Sequence, residues 1–188
     1  MSLETRLLDA ALECVARVGV SKTTLDDVVR AAGCSRATLY RYFPGKAPLL
    51  EAAVRREAAR VALAVAVSTE GTTEVEDAAV AAIVTAATAL ESHPALRTVL
   101  EVEPHTVVPH LAFDRCDAFL ARASERFAPA FEHLLDRPDA QRLAEWLTRL
   151  TLSFTMSPSP SVVLSDASSV RRLVRDFVVP ALVVTPRG

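Results

Sequence analysis

The chain has 188 residues, 51% of them apolar and 5% aromatic, with five glycines and a formal net charge of −2. This composition supplies material for a sizeable core, favours helices, and excludes a collagen-like, disulfide-rich or strongly basic protein. The charge is uneven: Met1–Arg56 carries nine Lys/Arg against six Asp/Glu, and the remainder carries twelve against seventeen, so contact with nucleic acid is permitted at the N-terminal end only.

The three cysteines, Cys14, Cys34 and Cys116, are odd in number, and their spacing fits neither a zinc site nor a disulfide framework. No metal and no cofactor is therefore expected. Leu3–Ala16 contains Glu4, Arg6, Asp9 and Glu13, unlike a secretory signal. The uncharged stretch Ala78–Leu90 is too short to span a bilayer. The expectation is a cytoplasmic protein without membrane contact.

In chain order, Leu8, Ala11, Leu12 and Val15 recur at three- and four-residue steps and predict an amphipathic helix ending at Gly19. Thr24 caps a second helix, with Asp27 completing a Thr-x-x-Asp box and Leu25, Val28 and Val29 on its apolar face. That helix ends at Ala32–Gly33. Ser35 caps a third, short helix over Arg36–Tyr42, with Leu39 and Phe43 turned to the core. After Phe43-Pro44-Gly45, a fourth helix starts at Lys46 and reaches about Val67, with Pro48 tolerated in its first turn.

Further helices are predicted over Glu74–Glu91, from His93-Pro94 to about Glu103, over Ala112–Leu135 with a bend at Pro129, from Pro138 through Phe154, and over Ser169–Val183. Ser157–Asp166 reads as a Pro/Ser-rich loop. Val61–Val67 and Ser161–Leu164 are strand-like in composition, but each is isolated. The fold class is all-α, with about nine helices.

The second and third helices, joined by Ala32-Gly33-Cys34-Ser35, form a helix-turn-helix, in which the second helix enters the major groove. Its outer face carries hydrogen-bond donors. Arg36 has the reach to bond guanine O6 and N7, and Ala37 is small enough to admit a thymine methyl. Thr38, Tyr40 and Tyr42 offer hydroxyls. Thr24 and Lys46 stand at helix N-termini, where phosphate is favoured. Taken by spacing alone, this face is either a DNA-reading surface or a solvated one.

From Leu7 to Leu50 the sequence resembles the N-terminal domain of the tetracycline-repressor (TetR) family. The resemblance is carried by Leu8-Asp9-Ala10-Ala11-Leu12, Gly19, Thr23-Thr24, Val28, Ala31-Ala32-Gly33-Cys34-Ser35, Thr38-Leu39-Tyr40-Arg41-Tyr42-Phe43, Lys46 and Leu49-Leu50. It implies a DNA-binding head over residues 1–47 and an effector-binding and dimerisation domain over 48–188. It also implies base contacts from Arg36, Ala37 and Tyr40, and phosphate contacts from Thr24, Thr38, Tyr42 and Lys46. Cys14-Val15 replaces the leucine and phenylalanine frequent in the family, and Gly45 replaces the usual Ser or Asn cap. Only Met1–Leu3 precede the first helix, so no basic arm for the minor groove is expected.

By the same resemblance, the protein is a homodimeric repressor on palindromic double-stranded operator DNA, released by a small apolar or amphipathic effector. The two dimer helices carry Leu143, Trp146, Leu147, Leu150 and Phe154, and Val170, Leu173, Val174 and Phe177. The alternative is that these faces fill the chain's own core. An effector pocket within Glu74–Phe154 is expected to be lined by Ile83, Leu90, Leu100, Leu111, Phe113, Phe119 and Trp146, although each also suits plain core.

The competing functional reading is a DNA-binding regulator controlled by a protein partner, without a small effector. An enzyme is not expected. The sequence has no Gly-rich phosphate loop, no Gly-x-Ser-x-Gly and no His-Glu-x-x-His. Cys116 with His105 or His110 has no orienting third group.

Overall fold

The computed structural model describes residues 1–106 and 116–180. Among the described residues there are nine α-helices: α1 Leu3–Lys22, α2 Leu25–Ala32, α3 Arg36–Tyr42, α4 Lys46–Thr69, α5 Val75–Glu91, α6 Pro94–Val102, α7 Cys116–Phe127, α8 Arg137–Met156 and α9 Ala167–Leu173. Short 3₁₀ turns follow α6 (Pro104–Thr106) and α7 (Ala128–Ala130), and α9 runs into a π turn over Val174–Val178. No strand occurs among the described residues. The one isolated β-bridge joins Ser159 to Val162 in the Pro/Ser loop, and Val61–Val67 lies inside α4. The fold is all-α.

The chain forms two compact units, Met1–Ala59 with Ser92–Leu111, and Arg60–Glu91 with Ala112–Gly188. Packing therefore groups residues differently from the functional division drawn after residue 47, because α6 belongs with the head. In the first unit, Leu7, Leu8, Ala10, Ala11 and Cys14 of α1 meet Val28, Ala32, Leu39, Phe43, Leu49 and Ala53 in one core. Cys14 is 1% exposed, and burial is the main cause that pushes its thiol pKa up. It is a small buried thiol, as its position on the apolar face requires.

α6 lies against α1 through Val15, Ala95 and Val99. Pro94 opens the helix, and the His93 ring Nδ1 accepts the Leu96 amide at 3.2 Å. The Thr98 hydroxyl donates to the Ala16 carbonyl at 2.7 Å, which fixes α6 along α1.

The second unit is built on the alanine-rich α5, whose Ala78, Ala79, Ala82 and Ala87 let neighbouring helices approach closely. Its core adds Val65, Phe131, Leu143, Leu147, Val170 and Val174. Arg171 pairs with Asp77 at 2.6 Å and Glu76 at 3.1 Å, and Arg175 pairs with Glu76 at 2.7 Å, tying α9 to the first turn of α5.

One predicted helix is shorter than its pattern. The stretch expected to run bent to Leu135 stops at Phe127, because Pro129 has no amide hydrogen to continue the ladder. Among the described residues, no single helix is long and apolar enough to cross a membrane, and no cluster of three or more His, Cys, Asp or Glu is placed to hold a metal.

Candidate nucleic-acid interface

Local hydrogen bonds define both helices of the helix-turn-helix. At α2, the Thr24 hydroxyl accepts the Asp27 amide at 3.2 Å, and the Thr24 amide donates to the Asp27 carboxylate at 3.3 Å. The hydroxyl also donates to that carboxylate at 2.6 Å. This last bond is the main reason the Asp27 carboxyl is held below the usual carboxylate range.

α2 ends at Gly33, which is left-handed at φ 62°, ψ 46°. Its amide reaches the Arg30 carbonyl, and the Cys34 amide reaches that of Val29. This paired closure is the reason for a glycine there. Ser35 then accepts the Thr38 amide at 3.1 Å and starts α3.

α3 has only seven residues, and two contacts set its orientation. Leu39 is 0% exposed and Phe43 6%. With these side chains inward, Arg36, Ala37, Tyr40, Arg41 and Tyr42 are exposed and Thr38 is half-buried. Five positions are thus exposed on one short, doubly anchored helix, and Thr38 is partly covered.

Arg36 is not loose on that helix. Its Nε lies 3.4 Å from an Asp26 carboxylate oxygen, with both side chains well exposed. Lys46 opens α4, and its ammonium donates to the Ser21 carbonyl at 3.3 Å, which leaves two of its three donors for other partners.

The comparisons with known proteins agree with this geometry. Residues 7–53 match the family model described as bacterial regulatory proteins, tetR family. The chain is 30% identical over 184 residues to an uncharacterised HTH-type transcriptional regulator of Mycobacterium tuberculosis, covering 96% of this chain and 85% of that protein. This chain belongs to the TetR family. It is therefore a DNA-binding transcriptional regulator of a non-enzymatic family.

A further similarity, to the HTH-type transcriptional regulator SrpR of Pseudomonas putida, is 47% identity over 47 residues, covering 25% of this chain and 22% of that one. In fold, the chain is similar to the TetR family repressor AlkX of Dietzia sp., with a TM-score of 0.71 and 22% identity over 96% of this chain and 95% of that one. It is also similar to FadR of Bacillus subtilis in complex with stearoyl-CoA, with a TM-score of 0.60 and 16% identity over 90% and 96%.

The resemblance carries the expectation of an effector pocket and a dimer face within residues 48–188, and the structure shows where the named residues lie. Of the pocket set, Ile83 is 1% exposed within the core. Leu90 and Phe119 are half-buried in the second unit, and Leu100 is half-buried on α6 in the first. Trp146 is 58% exposed. Leu111 and Phe113, like His110, lie outside the described residues.

These side chains do not gather around one described cavity. A recess of about 310 Å³ in the second unit is lined instead by Ala66, Thr69, Glu70, Gly71, Pro129, Ala130 and His133.

The dimer set divides into two stripes. Leu143, Leu147, Val170 and Val174 are at most 5% exposed and fill the chain's own core, which corrects their assignment to an intersubunit face. Trp146 and Phe177 point outward, with Leu150, Phe154 and Leu173 half-buried. The reason is helical phase: 143 and 147 share one stripe, while 146 and 150 share the next.

Two features of the head escaped the sequence pattern. Gly19 adopts φ 83°, ψ 172°, an extended conformation open essentially to glycine alone rather than the left-handed cap expected there. Glu103, 82 residues distant in sequence from Ser21, is bonded to that residue's amide. Nothing local in the sequence signals this contact.

Proposed function

We propose that this regulator binds a palindromic operator as a homodimer and represses transcription until a small apolar or amphipathic effector releases it, in the cytoplasm where that DNA lies. One observation carries the reading. α3 is capped by Ser35 and pinned by Leu39 and Phe43, and it leaves the donors Arg36, Tyr40, Arg41 and Tyr42 and the small Ala37 exposed. Arg36, Ala37 and Tyr40 contact bases, and Thr24, Thr38, Tyr42 and Lys46 contact phosphate. In this reading residues 1–47 are the DNA-binding part and 48–188 the sensing and pairing part.

Pairing uses the outward stripe of α8 and of α9 with the π turn that follows it, with Trp146 and Phe177 as anchors. Large aromatic side chains left in water are costly for a monomer and are typical centres of interfaces. Two half-sites on one palindrome then match a two-fold protein. The apolar effector is supported by the fold neighbours: FadR was solved with stearoyl-CoA, and AlkX is implicated in biodegradation of n-alkanes.

Selection of bound sites from a random DNA pool tests the core of the proposal, with an inverted repeat as the expected product. Recovery of no preferred sequence at any salt concentration counts against it. Phe177→Asp should convert a dimer to a monomer by light scattering, and an unchanged mass removes the α8–α9 interface. Long-chain acyl-CoA and n-alkanes should raise the melting temperature and weaken operator binding, and no response to either rejects the effector class.

A further inference from the structure

We propose that Glu103, at the end of α6, is a positioning residue for the DNA-reading head: its carboxylate holds the α1–α2 turn that places Thr24 and Lys46. The proposal rests on the DNA-binding reading above and adds a residue to it from outside residues 1–47.

The turn needs an acceptor. Gly19 breaks α1, and Val20–Lys22 then make a further helical turn. Amides at the start of such a turn have no helical carbonyl to bond. Glu103 supplies the acceptor, because the Ser21 amide lies 3.1 Å from each carboxylate oxygen. The residue is 6% exposed, and a carboxylate is rarely so buried unless it is paired.

The fit is mutual. A Cβ on Gly19 would stand 3.0–3.2 Å from the Glu103 carboxyl atoms, so the glycine supplies both the positive φ and the space. Glu103 is itself fixed: its amide bonds the Val99 carbonyl at 2.8 Å, and its carbonyl accepts the amide and hydroxyl of Thr106.

The same turn is tied on its other sides to the DNA-facing residues. The Thr23 hydroxyl donates to the Gly19 carbonyl at 2.7 Å, and Thr24, the cap of α2, follows directly. Lys46 donates to the Ser21 carbonyl at 3.3 Å. Ser21 is thus clamped at its N–H by Glu103 and at its C=O by Lys46. Loss of the carboxylate frees the residue that positions a proposed phosphate contact on either side.

The experiment uses the full chain and the DNA selected by wild type. Glu103→Gln keeps the side-chain size but halves the acceptor strength of the clamp. Operator affinity should fall about two- to thirtyfold, the range for residues that influence a site without touching its ligand. Helix content and dimer mass should be retained, and the salt slope unchanged because no phosphate contact is deleted.

In wild type, the Ser21 amide proton resonance should move as the Glu103 carboxyl titrates on the acid side, its ionised form favoured chiefly by the Ser21 amide, less by the Val20 amide, with His105 the smallest contributor. In E103Q that movement should vanish. If E103Q folds poorly, Glu103→Asp keeps the charge but ends a methylene short, and the same loss of affinity is expected.

A folded variant that binds the operator as tightly as wild type overturns the positioning role and leaves DNA binding intact. So does a Ser21 resonance indifferent to the substitution. A wild-type protein that selects no DNA overturns the head's reading and this proposal together.

Discussion

The two compact units solve the same problem by different means. The first is held by specific hydrogen bonds at helix ends, from Thr24, Ser35, Gly33 and Glu103, around a core that includes Leu7, Leu39 and Leu49. The second is held by small-residue packing, with alanines of α5 against α8 and α9, large anchors that include Phe131, Ile83 and Leu143, and an arginine–carboxylate staple. The first arrangement suits a surface that must present side chains in fixed geometry. The second lets helices pack closely while Trp146 and Phe177 stay exposed.

This contrast can be broken most strongly at the two cores. Phe131→Ala removes the largest fully buried side chain and should cost about 3–5 kcal/mol. Leu39→Ala, also fully buried, should cost about 2–5 kcal/mol. The single tryptophan, Trp146, belongs to the second unit, and both tyrosines, Tyr40 and Tyr42, lie on α3 in the first. Urea unfolding followed by tryptophan and tyrosine fluorescence therefore reports each unit. F131A should lower the tryptophan midpoint first, and L39A should lower the tyrosine midpoint and abolish operator binding. Equal shifts of both signals in both variants would show that the units unfold as one.

Next in size is Gly19→Ala. The strained φ alone should cost about 1–3 kcal/mol, and the added methyl also crowds the Glu103 carboxyl. Chemical denaturation should show the loss in the tyrosine signal. A similar alanine at Gly33, where no atom lies within 4 Å of the new Cβ, meets strain without crowding. The difference between the two variants combines the crowding with the greater strain of the Gly19 backbone, which L-residues adopt less readily than the left-handed geometry of Gly33.

Arg36→Ala should cost about 1–3 kcal/mol at one base pair and relax preference there. Lys46→Ala should weaken binding to all sequences alike and reduce the salt slope by about one. Site selection repeated with each variant separates the two effects. If R36A selects the same consensus as wild type, Arg36 reads no base.

Much of the head was readable in the sequence because its determinants are local. A Thr-x-x-Asp box, a glycine at a helix end and a Ser cap each act within a few residues, and Leu39 and Phe43 declare the inner face by their spacing. The second unit was readable as helices but not as surfaces. Leu143 and Trp146 are both apolar and three residues apart, and only the position of α5 decides which is core and which is outside.

Pro129 was visible as a breaker, yet the periodic phenylalanines around it extended the predicted helix too far. Glu103 had no local signal at all. Its partner lies 82 residues away, and a glutamate ending a helix reads as solvated until α6 is placed on α1. The grouping of α6 with the head was hidden for the same reason.

The smallest effects come from pH and salt, and they separate the two kinds of carboxylate. Glu103 is held below the usual carboxylate range chiefly by the Ser21 amide, and Glu76 chiefly by the Arg175 guanidinium. In both cases the folded state favours the ionised form, so the stabilisation is complete above the ordinary carboxylate range and is lost as pH falls through the lowered values.

Acid should therefore weaken both units, and salt should act only on their exposed ion pairs. The Glu76 pairs involve arginines about half exposed to solvent, where screening acts over about 10 Å at 0.1 M salt and such pairs contribute little. Glu103 is bonded to a backbone amide out of water, where mobile ions do not reach. The first unit has exposed or partly exposed pairs too, Arg36 with Asp26 and Arg56 with Asp9, so raising salt at neutral pH should lower both midpoints slightly and leave the Ser21–Glu103 contact in place. A Ser21 amide resonance that shifts with salt as far as it does with acid would mean that the Glu103 carboxylate is open to mobile ions.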